Sequence, residues 1–304
     1  MKACDYCGKE SEDVLTFCAE CGTLLQPPPI PPEPPLPPEP PLIFETPIAA
    51  PPIIYAPPAG PRVLNGGLAT AVLGIYLGAQ FAGGLLAGVY SGFIAGVQSG
   101  FDNHEHIKET LQEVMPVTIL VVSALGGIAV IATARLFRFQ LNDTNPTGPA
   151  WVRGNWRDIA KGLGVGIVVA IGWLVLFNSW GHQPPEHDLG PLSRMSSTPG
   201  FPQIAWVITA LLFAPPIEEL LFRGILYGGY RKSMGAAGAA ALTTFIFVAM
   251  HFSELIYQPL ATIAITGLAL VALGLRLRYS AIGPAMAAHF GYNATIAVAV
   301  LYLT

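Results

Sequence analysis

Cysteine is absent from Gly22 to Thr304, and Asp, Glu, Lys and Arg together make up only 11% of the 304 residues. The first absence rules out a disulfide framework for most of the chain. The second falls far below the roughly 25% charged residues of soluble domains, so an ordinary water-soluble globule is excluded. Basic residues are scarce too. There are 15 against 19 acidic ones, a net charge of −4, which excludes a nucleic-acid partner held by bulk electrostatics. Glycine is plentiful at 33 residues, but it lacks the three-residue period of collagen and sits inside apolar runs. What is present is 52% hydrophobic residues, gathered into long uncharged stretches.

Three regions differ in composition: 1–26, 27–61 and 62–304. The first is polar and holds all four cysteines, as Cys4-x-x-Cys7 and Cys18-x-x-Cys21, with Gly8 and Gly22 turning the chain after each pair. Two such knuckles present four thiolates at the spacing that a structural zinc ion takes. A segment this short cannot bury a core of its own, so the metal would supply its folding energy. Two disulfides are the competing reading. The segment resembles the zinc-ribbon modules carried at the N-termini of many membrane proteins, which implies Cys4, Cys7, Cys18 and Cys21 as ligands of structural zinc. Region 27–61 contains 17 of the 29 prolines. Proline has no amide hydrogen for helix or sheet ladders, so an extended polyproline spacer is expected, with a proline-motif ligand as the alternative.

Region 62–304 reads as an all-α, multi-pass transmembrane bundle. About 20 apolar residues cross a bilayer, and about seven such spans are expected, near 66–98, 112–137, 158–180, 202–231, 236–254, 258–277 and 281–303. The runs do not alternate apolar and polar residues, which argues against a β-barrel. With the N-terminus inside, twelve basic residues fall on the inner side, and only Lys108 and Arg194 on the outer. That asymmetry predicts a plasma-membrane protein with a cytoplasmic N-terminus and Thr304 outside. It also places the cysteines in a reducing compartment, where thiolates are free to hold zinc.

An ionisable residue inside a bilayer costs about 2.5–3.5 kcal/mol on insertion scales and needs a reason to be there. Such residues cluster in three spans. The fourth reads Pro215-Pro216-Ile217-Glu218-Glu219-Leu220-Leu221-Phe222-Arg223. Adjacent helical side chains diverge, so Glu218 and Glu219 have different tasks. Glu219 and Arg223 are i and i+4 and suit an internal ion pair. Glu218 is then left as the working carboxylate, a candidate general base. The fifth span places His251 among apolar residues, Phe247 one turn before it. A hairpin turn near Arg231–Gly235 would bring His251 to the depth of Glu218. The seventh carries His289 and Asn293 on one face, among small Ala and Gly residues that permit close helix packing.

Taken together, Glu218-Glu219-x-x-x-Arg223, Phe247-x-x-x-His251 and His289-x-x-x-Asn293 resemble the motifs of the CPBP family of intramembrane proteases, also called the Abi or CAAX-prenyl-protease type. The resemblance covers about residues 200–304. It implies an endopeptidase in which Glu218 and His251 hold and activate a water, and His289 and Asn293 donate to the developing oxyanion. It further implies that Glu219 and Arg223 orient Glu218 and that Phe247 packs beside the imidazole. The site lacks a His-Glu-x-x-His helix and has an arginine close by, so a glutamate-activated water without metal is expected there. The expected partners are a peptide or protein substrate in or near the bilayer, and a protein that docks on the ribbon. The alternative is a non-catalytic scaffold of the bacteriocin-immunity kind, which docks partners through the ribbon. A transporter is a third reading, but Pro215-Pro216 has no counterpart in a second repeat. His104, His106, His182 and His187 are expected in outer loops, where they would be solvated.

Overall fold

The structure is a computed structural model. It describes residues 2–4, 7–11, 17–18, 21, 63–99, 104–180 and 191–302. The expected spacer at 27–61 lies outside the described residues, as do His182 and His187. The chain divides into two compact units, Met1–Pro61 and Arg62–Thr304.

In the first unit, strands β1 (Lys2–Ala3) and β2 (Glu10–Ser11) pair antiparallel, Lys2 opposite Ser11 and Ala3 opposite Glu10. Gly8, at φ 71°, turns the chain between them, and its amide donates to the Cys4 carbonyl at 2.8 Å.

The second unit is helical throughout its described elements. These are α1 (Gly66–Ser99), α2 (His104–Leu136), α3 (Trp156–Trp180), α4 (Pro191–Ser197), α5 (Phe201–Ile208), α6 (Ala214–Glu218), α7 (Tyr227–Met250), α8 (Phe252–Tyr257), α9 (Ala261–Tyr279) and α10 (Gly283–Tyr302). Two π-helical stretches interrupt the fourth span: π1 (Thr209–Phe213) and π2 (Glu219–Leu226). Six helical segments are long and apolar enough to cross a membrane, which makes this a multi-pass membrane protein. The fourth of them, Phe201–Met250, has 50 residues. Run straight, it would extend about 75 Å at 1.5 Å per residue, over twice the bilayer core. It doubles back instead at Gly235, whose φ of 75° and ψ of 177° fit neither helix nor most side chains. The Phe222 and Phe247 rings meet edge to face at 5.0 Å, so the two halves pair as a hairpin. The seven expected crossings follow. α2 begins at His104, so His104 and His106 lie in its first turn and not in a loop.

Apolar side chains such as Phe81, Leu86, Ile128, Val168 and Phe245 face outward along the helices, as lipid contact requires. The core is built around π2, every residue of which is buried. Val72 and Tyr76 of α1, Val130 of α2, Phe247 of α7 and Leu273 of α9 pack in the same cluster as Leu220, Leu221 and Ile225.

Helix α10, which carries His289 and Asn293, is seated against α3 by glycine. A Cβ on Gly162 would strike the Pro284 carbonyl, and one on Gly166 the Ala288 carbonyl. A small-x-x-x-small face of this kind lets two backbones touch. Gly166→Ala should therefore cost about 1–3 kcal/mol by overpacking. Gly164→Ala, whose Cβ meets nothing within 4 Å, should be neutral or slightly stabilising through helix propensity. Thermal unfolding of the two variants side by side checks this; equal midpoints would reject the close seating of α10.

Candidate active site

The site begins with a backbone problem. Pro215 and Pro216 bring no amide hydrogens, and each ring crowds the carbonyl one turn back. The chain answers with π1 immediately before them, where the Ala214 amide donates five residues back to the Thr209 carbonyl. In that register the Ala210 carbonyl would take its hydrogen from residue 215, which is proline and has none. Asn293 fills the gap: its Nδ2 donates to the Ala210 carbonyl at 2.7 Å. Asn293 thus ties α10 to the fourth span with one amide hydrogen and keeps a second.

Glu218 ends α6 and Glu219 opens π2. The Arg223 Nη1 lies 3.2 Å from Glu219 Oε1, with side chains 4% and 0% exposed. The same Oε1 accepts from His289 Nδ1 at 2.9 Å. A carboxylate paired with a guanidinium only accepts hydrogen bonds, so the imidazole proton sits on Nδ1. The His289 Nε2 then turns toward Glu218, 3.9 Å from its Oε2. One imidazole therefore stands between two carboxylates of different status. Glu219 is fully enclosed, with both contacts on Oε1 and its Oε2 without a hydrogen-bond partner among the described residues. Glu218 keeps 19% of its side chain exposed, and its buried Oε2 has no hydrogen-bond partner among the described residues.

His251 does not lie mid-helix. It caps α7 at φ −95° and ψ 19°, at the bend into α8. Its Nδ1 lies 2.8 Å from the Phe247 carbonyl, which can only accept, so Nδ1 donates and Nε2 carries the free lone pair. Phe247 is the hub that brings both histidines together. Its ring centroid is 4.7 Å from that of His251 and 6.3 Å from that of His289, and the Arg223 guanidinium sits 4.2 Å above it. A buried cation over a phenyl face is worth on the order of 2 kcal/mol.

The six candidate residues of the three motifs, with Phe247, thus gather around π2 from the fourth span, α7 and α10. Direct contacts join Glu218, Glu219, Arg223 and His289. Among the described residues neither a hydrogen bond nor an ion pair joins His251 to Glu218, and Asn293 faces Ala210. One feature was missed by reading the motifs: the bond from His289 to Glu219.

The cysteines form a separate site. All four are thiols outside any disulfide, and their Sγ atoms lie within 4.8 Å of one another. Cys4 and Cys21 approach to 3.5 Å, and Cys7 and Cys18 to 3.6 Å. A tetrahedron of 2.3 Å metal–sulfur bonds has edges of about 3.8 Å, so the quartet is shaped to hold a metal ion. The Lys9 amide favours the Cys7 thiolate, but desolvation and the neighbouring thiols outweigh it and push that thiol from 9.0 to about 12. Crowded thiols of this kind shed their protons to a metal cation. Among the described residues no other group of three or more ligating side chains converges in this way.

Residues 200–295 match the family model described as Rce1-like, the type II CAAX prenyl endopeptidase Rce1-like proteins. No curated protein and no solved structure matches the chain.

Proposed function

We propose an intramembrane endopeptidase of the CAAX type, on the match of residues 200–295 to the Rce1-like family model, in which Glu218 activates the attacking water. The observation that carries the reading is the unequal pair of carboxylates about His289. The Glu219 side chain is 0% exposed and its Oε1 carries the contacts with both Arg223 and His289, whereas Glu218 is approached by His289 at 3.9 Å and keeps 19% of its side chain exposed.

In this mechanism Glu218 takes a proton as the water oxygen attacks the scissile carbonyl carbon. His251, with Nε2 unprotonated, accepts a hydrogen bond from that water and holds it in place. The carbonyl oxygen becomes an oxyanion. His289 donates to it from Nε2 in its doubly protonated form. The second amide hydrogen of Asn293 donates beside it. Preorganised donors of this type contribute about 2.7–4 kcal/mol each. The carbon–nitrogen bond then breaks, and Glu218 returns its proton to the leaving amine. No step is routed through a metal, because the Arg223 guanidinium beside Glu219 disfavours a dication there.

The substrate is a peptide or protein that reaches the bilayer. A prenylated C-terminus suits a site sunk among apolar helices. The test is cleavage of a farnesylated CAAX peptide by the purified protein in nanodiscs, followed by mass spectrometry of the products. Cleavage should occur and should persist when zinc is chelated at the active domain. A wild-type protein inert toward both farnesylated and unmodified peptides would reject the reading.

For the N-terminal unit we infer a structural zinc ion bound by Cys4, Cys7, Cys18 and Cys21, and a docking role for the ribbon. The exposed Phe17 beside Cys18 offers an apolar contact for a protein partner. Purified protein should contain zinc by elemental analysis, and a Cys4→Ser, Cys7→Ser variant should lose it. Equal zinc in both would place the metal elsewhere.

A further inference from the structure

The connection between α2 and α3 is folded into the bundle instead of lying over its end. Its Pro149 and Ala150 are buried, and two helices give up side chains to admit the backbone. A Cβ on Gly224 of π2 would come within 2.9 Å of the Pro149 carbonyl oxygen, and one on Gly228 of α7 within 2.9 Å of that of Thr147. Ala150 stands at φ 48°, a left-handed conformation that residues other than glycine hold only where neighbours dictate it. Here they do. Its amide donates to the Asp143 carbonyl at 2.8 Å, and its carbonyl accepts at 3.0 Å from the amide of Ile282, in the turn between α9 and α10. The Val152 carbonyl accepts from the Gly283 amide at 3.1 Å. Two further carbonyls of the loop meet a charge. Arg276, in the last turn of α9 and 1% exposed, donates from Nη2 to Gly148 at 2.9 Å and to Asn145 at 3.3 Å. An enclosed guanidinium needs acceptors, and buried backbone needs donors. Each supplies the other.

Access to Glu218 changes at the same level of the bundle. Every residue of 219–230 is buried, whereas every residue of 206–214 keeps some exposure. Glu218, with 19% of its side chain exposed, stands at the boundary. We propose that segment 141–152 is a plug that closes the bundle at the end where α9 turns into α10, and that Arg276 is its latch. Water and substrate then reach Glu218 from the other half, which carries α5 and π1. The proposal concerns access alone and holds whatever chemistry Glu218 performs. It gives a task to a loop outside the family-matched segment and to a buried arginine that none of the three motifs contains.

The test is hydrogen–deuterium exchange of the full-length protein in nanodiscs, read by mass spectrometry. In the wild type, peptides of 141–152 should be protected. Arg276→Met removes the donor to Gly148 and Asn145. Gly148→Ala leaves Arg276 in place and displaces the loop, because its Cβ would lie 2.5 Å from the Asp143 carbonyl oxygen. It reports independently if Arg276→Met folds poorly. In each variant 141–152 should exchange about tenfold faster or more, the size expected when a hydrogen bond to a charged group or its geometry is lost. Residues 219–226 should gain exchange with it, and 104–115, in the first turns of α2, should keep the wild-type rate. A wild-type loop that exchanges like a free peptide overturns the proposal. So does a loop that opens while 219–226 stay protected, since it is then a strap and not a seal. Faster exchange that spreads to 104–115 in both variants makes the loop a general brace of the fold and overturns it as well. None of these readouts requires a cleaved peptide, so failure of the peptidase reading is seen separately.

Discussion

Glu218→Gln is expected to lower the rate of peptide cleavage about a thousandfold while leaving the fold intact. The substitution keeps the shape of the side chain and removes the carboxylate proposed to take the proton from water. Loss of a general base typically costs 10²–10⁴-fold, and a thousandfold is about 4 kcal/mol at 1.36 kcal/mol per decade. Stability should change little. Glu218 makes no short ion pair, and its nearest charged contact, His289 Nε2, is 3.9 Å away. The same change at Glu219 should behave differently, because its Oε1 holds both Arg223 and His289. Glu219→Gln should therefore lower the unfolding midpoint as well as activity. Comparing kcat and thermal midpoint for the two variants separates base from brace. If Glu218→Gln cleaves at the wild-type rate, Glu218 is not the base.

Run lengths and punctuation made most of the helical architecture readable from the residues. Uncharged stretches longer than a bilayer marked the spans, and Gly235 marked the turn that folds a 50-residue segment on itself. The pairing of Glu219 with Arg223 was legible because four residues return a side chain to the same helix face. Other features depend on contacts that no local pattern encodes. The two π stretches change the register without any change in apolar periodicity. Only π1 has a visible cause, in Pro215 and Pro216. The bond from His289 to Glu219 joins residues 70 positions apart, and the Asn293 bond to Ala210 spans 83. His251 was placed within a span by hydropathy, but it ends one. The backbone bends there because α8 starts at Phe252.

The largest effect on stability should come from Arg223→Met. Arg223 is 3% exposed and lies in the core beneath Phe247, within 3.2 Å of a carboxylate that is 0% exposed. Methionine fills much of the volume and cannot replace the charge. The Glu219 carboxylate would then be buried with His289 as its one remaining partner. Breaking a buried pair from one side typically costs about 3–5 kcal/mol, chiefly because the surviving charge is stranded. The contact of the guanidinium with the Phe247 face would go as well. The double variant Arg223→Met, Glu219→Gln removes the stranded charge, so it should be more stable than Arg223→Met alone despite carrying one more change. Such non-additivity is what a double-mutant cycle measures for residues in contact. Arg223→Lys should restore only part of the stability, since an ammonium has neither the planar spread over the ring nor the reach of the guanidinium. Unfolding midpoints of the wild type, both single variants, the double variant and Arg223→Lys in the same lipid decide the matter. If the double variant equals the sum of the two single losses, Arg223 and Glu219 act independently, and the ion pair does not hold π2 in place.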